Sequence, residues 1–566
     1  MTESATIIGN QSLVKGIPLN EEQGIGALTL GAYLKEVVSL YGVREAAVMS
    51  LDDSVERWTY NDLWDRSVEV AKSLIALGVG NGTRVGILMT NRLEFLSSLF
   101  GTALAGGVAT AMSTFSTPAE LKILLQNSGC SLVLLERHIL KKDFGAIFRE
   151  MEPAIDQSQP GELRSTTFPF LRYIATVDNE ESAGAIEGWS QFLARGTNIS
   201  TELVEATAAS VTPADPGVLL FSSGSTGKPK GILNAHRGVC LQMWRWRKWL
   251  QLGDDVRCWS ANGFFWSGNF AWAMGGTLSS GGSLVLQRVF QAEEALELMQ
   301  REKVTFVVAW PHQWAQLIDA KNWLDVDLSS LKYIDVNSPV AAHPTVNSNW
   351  IDATHAYGNT ETFTLSSVFP ANTPKSLSEG THGIPVAGMT FKIVDALSGE
   401  IKPLGESGEI CVKGPTLMLN YIGTPLDESV DEDGYLRTGD GGFFDEQGRL
   451  HWEGRINDII KTGGANVSPV EIDNVIAQCP GVKVTKTVGV PDELLGELVV
   501  ACIVPLEDAE LSEATIRDFT KQSLASYKVP RRVLFFAEDE LELTGSAKVK
   551  ASELRQLAAK RLAEAG

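Results

Sequence analysis

Val218-Leu-Leu-Phe-Ser-Ser-Gly-Ser-Thr-Gly-Lys-Pro-Lys-Gly231 runs an apolar strand directly into a loop of three glycines, four hydroxyls and two lysines. Glycines let backbone N–H groups converge on an anion, while hydroxyls donate hydrogen bonds and lysines neutralise charge. The chemical reading is a cradle for a polyphosphate. It differs from the Gly-x4-Gly-Lys-[Ser/Thr] phosphate loop, which needs glycine at 222 and a hydroxyl at 229, where Ser222 and Pro229 stand. A flexible Gly/Ser linker fits poorly, because a strand precedes the loop and Pro229 stiffens it.

Around this loop lie 566 residues, too many for one hydrophobic core, so two to four domains are expected. With 44% hydrophobic and 21% charged residues, a largely disordered chain is excluded. Forty-eight Lys plus Arg against 69 Asp plus Glu leave a net charge of −21. Such a surface repels phosphate backbones, so nucleic acid is not an expected partner, and an anionic ligand needs a local pocket of donors. The six cysteines show no CxxC spacing, which argues against a zinc site or a disulfide scaffold and suits a reducing compartment. No secretory leader is visible in the first 25 residues, and the apolar run Leu498–Val504 is far too short to span a membrane. A cytoplasmic protein is expected.

Residues 1–25 read as a loosely ordered lead-in. Beyond them, helix-like and strand-like stretches alternate, the pattern of parallel sheets covered by helices. Asn61–Leu77 places Leu63, Val70, Leu74 and Leu77 at helical spacing behind Asn61, read as the cap, and Arg84–Met89 reads as a buried strand. Gly78-Val-Gly-Asn-Gly82 between them is a turn, since Thr83 misses the third glycine of a dinucleotide fingerprint and helix precedes strand. Trp244-Arg-Trp-Arg-Lys-Trp249 falls in a helix-like segment and reads as an aromatic core face with charged stems at the surface. Past Asp440 the chain changes to short strands, a Gly-rich stretch and helix-like segments near 512–525 and 550–564. The expected organisation is α/β: a large N-terminal domain of layered α/β subdomains over 26–456, and a small, mobile α+β domain over 457–566.

Ser222–Gly231 resembles the AMP-binding signature of the adenylate-forming superfamily, which includes acyl-CoA synthetases. The resemblance continues in order through Tyr357-Gly-Asn-Thr-Glu361, Tyr435-Leu-Arg-Thr-Gly-Asp440 and Gly454-Arg-Ile-Asn-Asp-Ile-Ile-Lys461. It ends with Gly463–Ile472, Tyr527-Lys-Val-Pro530 and Leu543-Thr-Gly-Ser-Ala-Lys548. It implies an AMP-forming acyl-CoA ligase that joins a carboxylate to the α-phosphate of ATP, releases pyrophosphate, and passes the acyl group to coenzyme A. By that resemblance Ser222, Ser223, Gly224, Ser225, Thr226, Gly227, Lys228 and Lys230 hold the β- and γ-phosphates. Glu361, beside Thr360, helps bind Mg²⁺. Asp440 takes the ribose hydroxyls, Tyr357 and Gly358 lie along adenine, and Arg455 meets ribose or phosphate. Lys548 bridges the substrate carboxylate and the α-phosphate, easing the repulsion that opposes attack. Gly463 and Gly464 line the pantetheine channel, and Asn457 is the hinge.

Two positions depart from the family pattern: Ala547 stands where glycine usually precedes the lysine, and Asn457 where Asp or Lys is usual. Trp259–Trp272 carries six aromatics in fourteen positions. Trp266, Phe270 and Trp310 are the expected acyl-pocket residues, with Trp266 resembling the aromatic gate of fatty-acid-activating members. Aromatic walls favour a bulky apolar acid, whether fatty, aryl or cyclic. Amino-acid-activating relatives place Asp where Trp266 stands, so an acid without an α-amine is expected. The expected partners are that acid and coenzyme A, with a homodimer left open. The alternatives are transfer to a carrier-protein thiol or other acceptor, and a non-catalytic AMP-binding protein.

Overall fold

The structure is a computed structural model describing residues 5–51, 54–178, 182–223, 229–353, 355–456, 460–467, 469–506, 509–537, 540 and 551–565. Gly224, Ser225, Thr226, Gly227, Lys228, Asn457, Ala547 and Lys548 lie outside these residues, as do the side chains of Ser223 and Arg455.

The alternation in the first half builds two sheets. An eight-stranded sheet runs Ile186–Gly188, Tyr173–Thr176, Leu132–Leu135, Arg84–Leu88, Val108–Ala111, Pro216–Ser223, Pro229–Ala235, Asn420–Tyr421. Its first six strands are parallel. Pro216–Ser223 then folds back antiparallel on Pro229–Ala235, pairing Ser223 with Pro229 and Ser222 with Lys230. The ends of the glycine-rich loop are therefore held at the tip of a hairpin. A five-stranded sheet, Phe306–Val308, Arg257–Ser260, Ser283–Leu286, Glu45–Ser50, Val55–Thr59, is parallel except at its last pair.

The helix Leu93–Leu104 has every residue but Glu94 buried, as its near-continuous apolar sequence requires. It packs against Tyr60–Ala76, whose start differs from the sequence expectation. Thr59, not Asn61, is the cap: its hydroxyl accepts the Asp62 N–H, and the Asp62 carboxylate takes the Thr59 N–H in return. In the helix His236–Trp249 the three tryptophans are buried as expected, but Arg245 is no surface stem. It is fully buried and paired with Glu22 at 2.8 Å.

That pair also corrects the reading of the first 25 residues. Thr6–Ile7 and Leu13–Lys15 join a six-stranded antiparallel sheet with Thr390–Val394, Gly408–Lys413, Leu436–Phe444 and Leu450–Arg455. Val14 is 0% exposed in its core. Polar composition misled here because a short edge hairpin needs only one inward residue per turn of pleat.

After Arg455 the chain forms an α+β unit. Ile460–Thr462, Ala465–Val467, Val482–Asp492, Gly496–Pro505 and Arg532–Phe535 make a five-stranded sheet. It is packed by Glu513–Lys521 and Ala551–Ala565, close to the two expected helical segments, and by a third helix, Pro469–Ile476, that was not expected.

Candidate active site

Asp440 sits mid-strand in Leu436–Phe444, opposite Arg455 in the neighbouring strand. Its amide donates to the Thr438 hydroxyl, and its Oδ2 accepts the Tyr357 hydroxyl at 2.8 Å. Both side chains are buried, so an aromatic ring and a carboxylate are fixed side by side before any ligand arrives.

The turn after Tyr357 is tightly determined. A Cβ on Gly358 would lie 1.7 Å from the Thr364 carbonyl oxygen, so only glycine fits. Asn359 then accepts the Thr362 N–H and closes the single turn Thr360–Thr362. Phe363 and Thr364 follow at φ +50° and +106°, a left-handed backbone that a β-branched threonine adopts only under constraint. This turn carries Glu361, whose Oε1 accepts the Tyr421 hydroxyl at 2.8 Å. The Lys230 ammonium lies 4.9 Å from the centre of the Tyr421 ring. Carboxylate, phenol and ammonium thus gather where the glycine-rich loop opens.

A cavity of about 610 Å³ extends from this point. Ser222, Gly358 and Thr360 line it together with Phe265, Trp266, Trp272 and Trp246. Phe270, expected in the pocket, does not reach it. It is fully buried and packs edge-on against Phe363 at 5.4 Å. The backbone over Phe270–Gly275 is a π-helical turn, and Trp272, two residues on, faces the cavity instead. Trp259 and Phe264 are likewise core residues, so half of the six aromatics build the fold and half the wall.

Trp310 is in the wall, where it meets the second domain. Gly464 has φ +79°, and a Cβ there would come within 2.4 Å of the Trp310 indole. A Cβ on Gly463 would lie 3.1 Å from His312 Nδ1. The glycine pair therefore runs directly across the two rings. Burial lowers the His312 pKa, and the nearby Arg531 adds to the effect, so its imidazole is held neutral. Trp266 packs on Tyr527 at 5.9 Å, and beside them Lys528 is buried between Glu120 and Glu471, at 3.1 and 2.8 Å.

A second cavity of about 760 Å³ shares Phe115, Asn262, Phe265, His312 and Gln313 with the first, and has Lys141, Lys142, Arg288 and Lys521 on its wall. Nothing in the sequence flagged these cations, which come from three separate segments. Trp246, Trp272 and Asp352 of the first cavity were also not singled out as ligand-facing. Among the described residues no three His, Cys, Asp or Glu side chains gather as a metal site, and no helix is long and apolar enough to cross a membrane.

A hairpin-borne glycine-rich loop, a tyrosine–carboxylate pair and a separate glycine loop closing one cavity define a class of nucleotide-using enzyme. Residues 34–422 match the AMP-binding enzyme family, and residues 471–548 match the AMP-binding enzyme C-terminal domain. The chain belongs to that family. It is 30% identical to 3-[(3aS,4S,7aS)-7a-methyl-1,5-dioxo-octahydro-1H-inden-4-yl]propanoyl:CoA ligase of Mycobacterium tuberculosis, over 88% of this chain and 94% of that protein. It is 26% identical to the mitochondrial medium-chain acyl-CoA ligase of Homo sapiens, over 98% and 90% of the two chains. A double mutant of the Bacillus subtilis o-succinylbenzoate CoA synthetase, solved with a product analogue, superposes with TM-score 0.69 at 23% identity, covering 93% of this chain and 98% of that one.

Proposed function

We propose the following reading of the site. The protein is an AMP-forming acyl-CoA ligase, an acid–thiol ligase that uses ATP and coenzyme A. The observation that supports it most is that Ser222, Gly358, Thr360 and the Gly463–Gly464 loop line one cavity with aromatic walls. An acid carboxylate attacks the α-phosphorus of ATP and pyrophosphate leaves; the thiol of coenzyme A then attacks the acyl carbon and AMP leaves.

Asp440 holds the ribose hydroxyls through its two oxygens, and Tyr357 and Gly358 flank the base. Ser222, Ser223, Gly224, Ser225, Thr226, Gly227, Lys228 and Lys230 cradle the departing pyrophosphate. Lys548 neutralises charge at the bond being made, with Arg455 beside the ribose and Asn457 as the swivel between 26–456 and 457–566. Glu361 suits Mg²⁺: one carboxylate oxygen is oriented by Tyr421, which leaves the other to a hard cation. That ion would offset phosphate charge. Thr360 adds a hydroxyl to the same edge.

Trp266, Trp310 and the added Trp246 and Trp272 favour a bulky apolar acid, a reading in keeping with the fused-ring and medium-chain acids named for its relatives. The thiol arm passes Gly463 and Gly464, and the cationic second cavity takes the phosphate-bearing half of coenzyme A. Six buried free cysteines suit a reducing cytoplasm. A screen over fatty, aryl and polycyclic acids, read as AMP release and thioester mass, tests the reading. Acyl-adenylate without thioester would assign a carrier-bound thiol or another acceptor instead.

A further inference from the structure

The cavity wall includes a carboxyl group that adenylation and thioester formation do not use. Asp352 lies five residues before Tyr357 and lines the cavity together with Ala353, Trp246 and Trp272. Its near neighbour in the chain, Trp350, joins the ring cluster that carries Trp272 and Trp246. Trp350, two residues earlier, packs 6.4 Å from Phe306, Phe306 lies 6.4 Å from Trp272, and Trp272 stacks on Trp246 at 5.4 Å.

The protein does little to neutralise this group. Its Oδ1 accepts the Ala353 N–H at 2.7 Å, and its own amide donates to Asp335. The charged neighbour that acts on it is Asp335, of the same sign, and no cation pairs with it among the described residues. Burial, with Asp335 adding to it, pushes the Asp352 carboxyl up to about 7. The indole N–H groups of Trp246 and Trp272 are also buried without a partner among the described residues. Acceptors and donors left unmatched in an aromatic pocket are unfavourable until a ligand completes them.

We propose that Asp352 determines specificity by accepting a hydrogen bond from an O–H or N–H group at the end of the substrate acid remote from its carboxylate. The inference rests on the acyl-ligase reading above. A hydroxyl would donate to Asp352 and accept from an indole N–H; a protonated amine would donate to Asp352 and lie against the tryptophan faces. Either is compatible with an acid that lacks an α-amine.

Matched acids that differ only in a distal methyl, hydroxyl or amino group test this in the full-length enzyme with ATP and coenzyme A. The wild type is expected to favour a donor-bearing acid over its methyl isostere by about 100-fold or more in kcat/KM. Asp352→Leu is expected to level that ratio with the KM for ATP unchanged. Asp352→Asn is expected to retain part of a hydroxyl preference and to lose an amine preference. Because each ratio is taken on one preparation, partial misfolding does not affect it. A wild-type preference for the methyl acid, or a donor preference that survives in Asp352→Leu, overturns this inference alone. Absence of AMP release with every acid overturns it together with the ligase reading.

Discussion

Lys528, in the C-terminal α+β unit, places its ammonium 3.1 Å from the carboxylate of Glu120, which opens the helix Pro118–Ser128 in the large unit. The other Glu120 oxygen takes the Thr117 N–H as part of that helix's capping box. Glu471 closes the triad at 2.8 Å, and the Ala525 N–H donates to the same Glu120 oxygen as Lys528. All three side chains are over nine-tenths buried. Although burial opposes its charge, Tyr527 and the two carboxylates hold the Lys528 pKa above its ordinary value.

This triad fastens the orientation in which Gly463 and Gly464 cross Trp310 and His312. Removing one partner of a buried ion pair costs about 3–5 kcal/mol, most of it from the charge left behind. Glu120→Gln keeps an oxygen to cap the helix and loses the charge facing Lys528. The expected outcome is thioester formation slowed tenfold or more, with acid-dependent ATP–pyrophosphate exchange within about twofold of wild type. Single-turnover assays of the two half-reactions read it. Equal loss in both would remove the triad from any role in orienting the domains.

Gly464→Val is expected to act on the same half-reaction. Its φ of +79° and the indole 2.4 Å from a Cβ oppose any side chain on two separate grounds. The variant should still form acyl-adenylate but transfer it slowly, and adding Trp310→Ala should recover part of the transfer rate. Recovery would separate crowding against the ring from backbone strain. Wild-type transfer in Gly464→Val would mean that this loop is not where the thiol passes.

Stability should fall with pH through one group in the C-terminal unit. Burial pushes the Asp473 carboxyl up to about 6, against opposing contacts from Thr487 and Lys486. The folded chain keeps that proton to about pH 6 and the unfolded chain to about pH 4. The contribution is therefore fully present below pH 4 and lost as the pH rises through 6, by at most about 3 kcal/mol. Asp473→Asn, still able to accept the Thr487 N–H, should gain in melting temperature relative to wild type between pH 5 and pH 8. A difference constant over that range would contradict the assignment.

The fold class and the nucleotide motifs were legible because they are local. A hairpin tip, a Tyr-Gly turn and a strand carrying Asp440 are each written within ten residues, and Tyr357 and Asp440 prove to be in contact. The acyl pocket was half legible. Composition marked Trp259–Trp272 as aromatic, but a π-helical turn decides that Trp272 faces the cavity while Phe270 faces the core. That turn has no clear pattern in the sequence. Asp352, Glu120 and the cations of the second cavity were not legible, because each matters through partners far away in the chain. The lead-in was misread for the same reason, since Glu22 is fixed by Arg245 across 223 positions.

On the proposed function, this cavity activates an acid as its adenylate, with Lys548 neutralising the charge that builds up. ATP–pyrophosphate exchange measured without coenzyme A, in wild type and in Lys548→Ala, tests it most directly. The expected result is exchange in the wild type only when an accepted acid is present, reduced about 100-fold or more in the variant. Exchange at the wild-type rate in Lys548→Ala, or wild-type exchange that needs no acid, would contradict it.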